Sequence, residues 1–164
     1  MDGREAAFQA AVKMLARRAM SEVETREKMS RQGFGDEDVE RAVERLTSAG
    51  YLDDRRVALE TILSQSRRGH GPLRVDAKLR SRGIRDKVIG EAWREAAEDY
   101  GVDPHRLLAE QLQRRLPDDA SECDRAMLSR VYNALLRAGF DESEVRSVLA
   151  PRLPDPDATD ESQR

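Results

Sequence analysis

The chain has 164 residues and a net charge of −3, with 37% charged and 4% aromatic residues. So few aromatics beside abundant Ala, Leu, Glu and Arg argue against a sheet protein and for an all-α one, and a mean hydropathy of −0.76 leaves room only for thin cores of the kind that stacked small helical units share. The acidic total predicts no general affinity for nucleic acid, one cysteine excludes an internal disulfide and fits a reducing compartment, and the lack of a long apolar run or a signal-peptide pattern gives the expectation of a cytoplasmic protein without a membrane span.

Phe8, Val12 and Leu15 recur at i, i+4 and i+7, the spacing of one helix face, and Arg17 and Arg18 close that helix. Ser21-Glu22-Val23-Glu24 has the form of a capping box and opens a second helix with Val23 and Met29, ended by Gly33. Asp36 starts a third, with Val39, Val43 and Leu46 on one face. The seam Gly50-Tyr51-Leu52-Asp53-Asp54 follows. Gly50 suits the left-handed cap that ends a helix, Tyr51 and Leu52 supply apolar groups to lock two helical units together, and Asp53 or Asp54 caps the next helix.

Leu59, Ile62 and Leu63 mark the fourth helix, and Gly69-His70-Gly71 breaks the chain after it. Pro72 suits the first turn of a fifth helix bearing Leu73, Val75 and Leu79. Gly83-Ile84 ends that helix, and Asp86 starts a sixth with Ile89, Trp93 and Ala96. These two stretches align without a gap at an offset of 50: Arg17-Arg18 on Arg67-Arg68, Lys28 on Lys78, Met29 on Leu79, Gly33-Phe34 on Gly83-Ile84, and Asp36, Val39 and Val43 on Asp86, Ile89 and Trp93. Caps and core positions in one register identify an internal repeat. A looser third copy runs from Asp103-Pro104 through Leu107, Leu108 and Leu112, a loop at Pro117-Asp118-Asp119, and a long helix with Leu128, Val131, Leu135 and Leu136. Gly139-Phe140 ends this helix, Asp141 and Glu144 cap a last one with Val145, Val148 and Leu149, and Pro151 stops it. The expected organisation is three tandem three-helix units, 1–50, 51–100 and 101–150, without sheet, then a disordered polar tail over 151–164.

Nothing in the chain assembles into a catalytic or metal-binding constellation. Neither His70 nor His105 has a second ligand one helical turn away, so no metal site is expected. Cys123 sits between Glu122 and Asp124, whose charges disfavour a thiolate, and reads as a surface cysteine. Gly69-His70-Gly71-Pro72 lacks the Gly-Lys-Ser/Thr ending of a phosphate loop. The expectation is a protein that is not an enzyme and uses no cofactor.

The charge distribution says more. Between Gln65 and Lys87 stand Arg67, Arg68, Arg74, Lys78, Arg80, Arg82, Arg85 and Lys87 against only Asp76 and Asp86, a local charge of +6 in an acidic chain. Arg74, Lys78 and Arg82 are spaced four apart and are expected to form one helix ridge, extended by Arg67 and Arg68, that meets phosphates or an acidic protein face. So dense a run of Arg and Lys suits backbone contact better than base readout.

These residues together resemble the RecX family of bacterial recombination regulators. Gly50-Tyr51-Leu52-Asp53-Asp54 with Arg56 and Ala58 is similar to that family's most recognisable motif, with Val57 where Phe is usual. Leu15-Ala16-Arg17-Arg18 with Ser21 and Glu24 resembles its first-unit pattern. Gly71-Pro72, Leu79 and Gly83-Ile84 resemble its second, and Leu136-Arg137-Ala138-Gly139-Phe140 its third, with Ala138 where a second basic residue is common. The similarity covers about residues 6 to 150. It implies a row of three three-helix units forming an elongated, curved body that binds the recombinase RecA and the RecA–DNA filament, impeding ATP hydrolysis, strand exchange and co-protease action. The chain is expected to be a monomer. The acidic total charge departs from more basic members, so only weak direct DNA contact is expected. A second reading is a helical DNA-binding module acting through the basic residues Arg67, Arg68, Arg74, Lys78, Arg82, Arg85 and Lys87.

Overall fold

The computed structural model of the protein describes residues 3–119 and 122–152. Among the described residues there are nine α-helices and no strand: α1 (Gly3–Leu15), α2 (Glu22–Arg31), α3 (Asp36–Ser48), α4 (Asp54–Arg67), α5 (Pro72–Ser81), α6 (Asp86–Tyr100), α7 (Pro104–Gln113), α8 (Arg125–Ala138) and α9 (Glu142–Leu149). The fold is all-α. The tail expected from 151 opens on a 3-10 turn, Ala150–Arg152, where Arg152 Nη1 donates to the Pro117 carbonyl at 3.0 Å. The remainder of that expected tail, 153–164, lies outside the described residues.

The helix boundaries follow from local chemistry. At the start of α2, Ser21 Oγ accepts from the Glu24 N–H at 3.1 Å and the Ser21 N–H donates to Glu24 Oε2 at 2.9 Å, the capping box the sequence contains. At the end of α3, Gly50 takes φ +75°, which lets the Tyr51 and Leu52 N–H groups reach back to the Leu46 carbonyl at 2.9 and 3.3 Å. The two aspartates that follow divide their work. Asp53 Oδ1 accepts from the Arg56 N–H at 3.0 Å and caps its own helix, α4, whereas Asp54 Oδ1 accepts from the Glu22 N–H at 2.9 Å, a donor at the start of α2.

The described chain divides into two compact units, one made of positions up to Ser64 with Asp76–Gly101, the other of Gln65–Val75 with positions from Val102 onward. In the first, α3 packs on α1 and α2 around Met14, Met20, Met29, Val39, Val43, Leu46 and Leu52. The apolar face of α1 differs from the expected one by one position. Ala7, Ala11 and Met14 are buried, while Phe8, Val12 and Leu15 lie at the edge of the cluster. Two alanines admit the facing helix closely, and Phe8 is instead covered by Arg45, whose guanidinium stands 3.7 Å above its ring. In the second unit Leu107, Leu108, Leu116, Leu128, Val131, Leu135, Phe140, Val145 and Leu149 are buried. Val148, expected on the core face of α9, is exposed.

One joint recurs, once inside each unit. In the first, the turn after α5 lies on the N-terminus of α2. Ser21 Oγ donates to the Arg82 carbonyl at 2.5 Å, and a Cβ added to Gly83 would come within 2.5 Å of Val23 Cβ. In the second, the C-terminus of α8 lies on the N-terminus of α5. The Gly71 N–H donates to the Ala138 carbonyl at 2.7 Å and the Leu73 N–H to the Gly139 carbonyl at 3.0 Å. Pro72, between them, has no N–H to satisfy. In the second joint orphan carbonyls at the end of α8 thereby meet backbone donors at the start of α5, whereas in the first the donor is the Ser21 hydroxyl.

Candidate partner-binding surface

The cations singled out in the sequence do not form one ridge of three. α5 ends at Ser81, so Arg82 falls in the turn beyond it. Its side chain is 18% exposed and turns inward. Nε and Nη2 lie 3.2 and 2.8 Å from Glu24 Oε2, Nη1 donates to Thr61 Oγ1 at 3.2 Å, and Nη2 also donates to the Ala19 carbonyl at 3.0 Å. Four directed contacts make Arg82 a structural cation of the first unit and remove it from the exposed set. The reason is geometric. A planar guanidinium satisfies several acceptors at once, and the joint on α2 brings three of them within reach.

Glu24 records the same contact. Burial works to raise its pKa, but the hydrogen bonds from Arg82 and from the Ser21 N–H, together with the Arg82 charge, outweigh it and hold the carboxyl below its ordinary value. Asp54 goes the other way. Burial dominates, the neighbouring Glu22 charge adds to it, and the carboxyl is pushed up despite the Glu22 N–H hydrogen bond.

The remaining cations fall in both units and are described unit by unit. In the first, Lys78, Arg85 and Lys87 are exposed, and none has a carboxylate within 4 Å among the described residues, whereas neighbouring Arg80 pairs with Asp86 at 2.7 Å. In the second, Arg67 and Arg68 are exposed at the end of α4, where Gly69 turns the chain with φ +79°. Arg74 is exposed as well, but its stem lies against Gly139, and its Nη1 stands 3.4 Å from the Arg137 carbonyl at the end of α8. A cation there complements the negative end of α8.

At the seam, Leu52 is 2% exposed and belongs to the first unit's core, but Tyr51 is 55% exposed and does not join it. Alternate neighbours past a helix cap point to opposite sides, so only one of the pair can be the apolar lock. Cys123, expected at the surface, is 6% exposed. His105 is exposed, and His70 is half-buried with Nδ1 2.8 Å from Gln65 Oε1. Among the described residues no three His, Cys, Asp or Glu side chains gather as a metal ion would require, and no helix is long and apolar enough to cross a membrane.

Sequence reasoning missed the Arg82–Glu24 contact. The repeat held a signal for it. At the offset of 50, Glu24 falls on Arg74 and Arg82 on Gln32, so one matched position reverses its charge and the other is charged in one copy alone, where the core positions around them stay apolar.

Residues 7–46, spanning most of α1–α3, match the family described as the RecX first three-helix domain. The regulatory protein RecX of Halorhodospira halophila is 32% identical over 146 residues, covering 89% of this chain and 88% of its own. That of Syntrophotalea carbinolica is 35% identical over 143 residues, covering 85% and 92%. In architecture the chain is similar to the crystal structure of RecX from Lactobacillus salivarius, with a TM-score of 0.71 and 16% identity over 92% of this chain and 97% of that one. Identity above 30% across most of both lengths, with the capping box and the seam in place, means that the chain belongs to the RecX family of regulatory proteins.

Proposed function

We propose that the protein is a non-enzymatic cytoplasmic regulator that binds RecA and its filament on DNA and restrains the filament's ATPase, strand-exchange and co-protease activities. The observation that carries this reading is family membership along most of the chain. The exposed cations supply a means. Lys78, Arg85 and Lys87 in the first unit, and Arg67 and Arg68 in the second, hold no carboxylate within 4 Å among the described residues. An acidic or phosphate-bearing partner would bring counter-charges to these exposed positions.

A second reading, a DNA-binding module, draws on the same cations. The two are separated by three measurements on the wild type and on a Lys78→Glu/Arg85→Glu/Lys87→Glu variant: inhibition of RecA's DNA-dependent ATPase, binding to RecA without DNA, and binding to naked single-stranded DNA. RecA binding without DNA that the variant loses assigns these cations to protein contact. Loss on the filament alone assigns them to phosphate. Tight binding to naked DNA with no effect on RecA favours the second reading and overturns the first.

A further inference from the structure

A groove of about 430 Å³ runs between α8 and α9. Leu128 and Leu149 form its floor, Ser129 and Tyr132 stand along α8, and Arg125 and Arg146 sit at its rim. The repeat explains why it is open. Aligning Gly139-Phe140 with Gly83-Ile84 places Tyr132 on Asp76 and Leu149 on Trp93. Between α5 and α6 the indole of Trp93 is half-buried and its Nε1–H donates to Asp76 Oδ1 at 2.7 Å. In the α8–α9 copy, leucine replaces the indole, and Tyr132 instead donates its hydroxyl to Glu142 Oε1 at 2.8 Å. The site that one repeat fills with its own tryptophan is unfilled in the other.

The rim has a definite charge. Glu142 is shared between Tyr132 and Arg146, whose Nη2 lies 2.6 Å from it. Asp124 is occupied in capping α8 through the Met127 N–H. Arg125 is exposed and has no carboxylate within 4 Å among the described residues. An apolar floor beside an uncompensated arginine fits a ligand with a large apolar group and a nearby negative charge. We propose that this groove is a docking site for an acidic peptide segment of a partner protein, which inserts a tryptophan-sized side chain between α8 and α9 and sets a carboxylate against Arg125. The proposal does not depend on which protein supplies the segment.

The test uses the full chain and a short fluorescein-labelled peptide with a central tryptophan flanked by glutamates, compared with the same peptide flanked by lysines. Saturable binding of the glutamate peptide is expected, with amide shifts in the ¹⁵N-labelled chain centred on Arg125, Ser129, Tyr132 and Arg146. Ser129→Glu, an exposed change that brings negative charge to the groove, is expected to weaken binding by roughly tenfold or more. Leu149→Trp, which fills the groove as the other repeat does, is expected to do the same. Circular dichroism checks that each variant is folded, and Ser129→Glu stands alone if Leu149→Trp is not. Equal binding of the lysine peptide, undiminished binding by folded Ser129→Glu, or shifts centred elsewhere overturns the proposal. So does self-association of the chain through this face without peptide binding.

Discussion

Arg82 reaches back across 58 residues to Glu24 and places two of its nitrogens within 3.2 Å of one carboxylate oxygen. The contact sits at the joint where the turn after α5 meets the N-terminus of α2, beside the hydrogen bond from Ser21 to the Arg82 carbonyl. Both side chains are about four-fifths covered, so solvent weakens this pair less than a surface pair. Arg82→Ala is therefore expected to destabilise the protein by roughly 1.5–3 kcal/mol, the range for hydrogen bonds to charged groups. Lys78→Ala, an exposed change, is expected to stay within about 0.5 kcal/mol of wild type. Urea denaturation of the two variants side by side checks the difference.

The pH dependence of that pair has a definite sign. Glu24 titrates below its ordinary value in the folded protein, so folding favours its ionised form. Its stabilisation is complete above the unfolded value of about 4.3 and is lost as pH falls through the lower folded value. Asp54 titrates above its ordinary value. Its ionisation opposes folding, and that penalty is absent below about pH 3.9 and complete above the raised folded value. Glu24→Gln is thus expected to be less stable than wild type near neutral pH, with the gap closing under acid. Asp54→Asn is expected to be at least as stable as wild type near neutral pH, with any gain also vanishing under acid. Denaturation midpoints measured from neutral pH downward test both, and a Glu24→Gln gap that grows on acidification contradicts the assignment.

The joint also predicts unequal costs at matched glycines. Gly33 and Gly83 occupy the same repeat position, with φ +89° and +77°. A Cβ on Gly33 would meet nothing within 4 Å, whereas one on Gly83 would come within 2.5 Å of Val23 Cβ. Gly33→Ala should cost only the left-handed backbone strain, about 1–2 kcal/mol. Gly83→Ala should cost that plus an overpacking term of typically 1–3 kcal/mol. Thermal unfolding of the two variants reads the difference, and equal losses would mean that the joint tolerates a methyl group.

Helix content and caps were legible in the sequence because each rests on neighbouring residues. Ser21 and Glu24 form the expected box, and Leu52 is buried where an apolar residue follows a cap. What was not legible depends on contacts between distant segments. A spacing of four placed Arg82 with Arg74 and Lys78, but the helix stops one residue short of it, and acceptors from Ala19, Glu24 and Thr61 draw it inward. Periodicity likewise ranked Phe8 above Ala7 on α1, because hydrophobicity scales do not register how closely alanines let two helices approach. Arg67, Arg68, Lys78, Arg85 and Lys87 are exposed, but which cations act on a partner is a property of the partner as well and is not written in this chain alone.

The functional prediction follows from separating Arg82 from the others. Charge reversal at Lys78, Arg85 and Lys87 removes three exposed cations that make no ion pair within 4 Å among the described residues, so the denaturation midpoint should move little. If the protein restrains RecA as proposed and these cations face the filament, inhibition of RecA's ATPase should weaken, and the loss should be larger at low salt, where charge attraction is least screened. Arg82→Glu should lower inhibition too, but for another reason. It sets a carboxylate against Glu24 at a joint that is largely covered, and both stability and inhibition should fall together. Measuring the two variants for denaturation midpoint and for inhibition, each at two salt concentrations, tells surface recognition from structural support. A triple variant that inhibits as wild type does at both concentrations would remove Lys78, Arg85 and Lys87 from the contact surface and leave the second unit's Arg67 and Arg68 as the cations to test next.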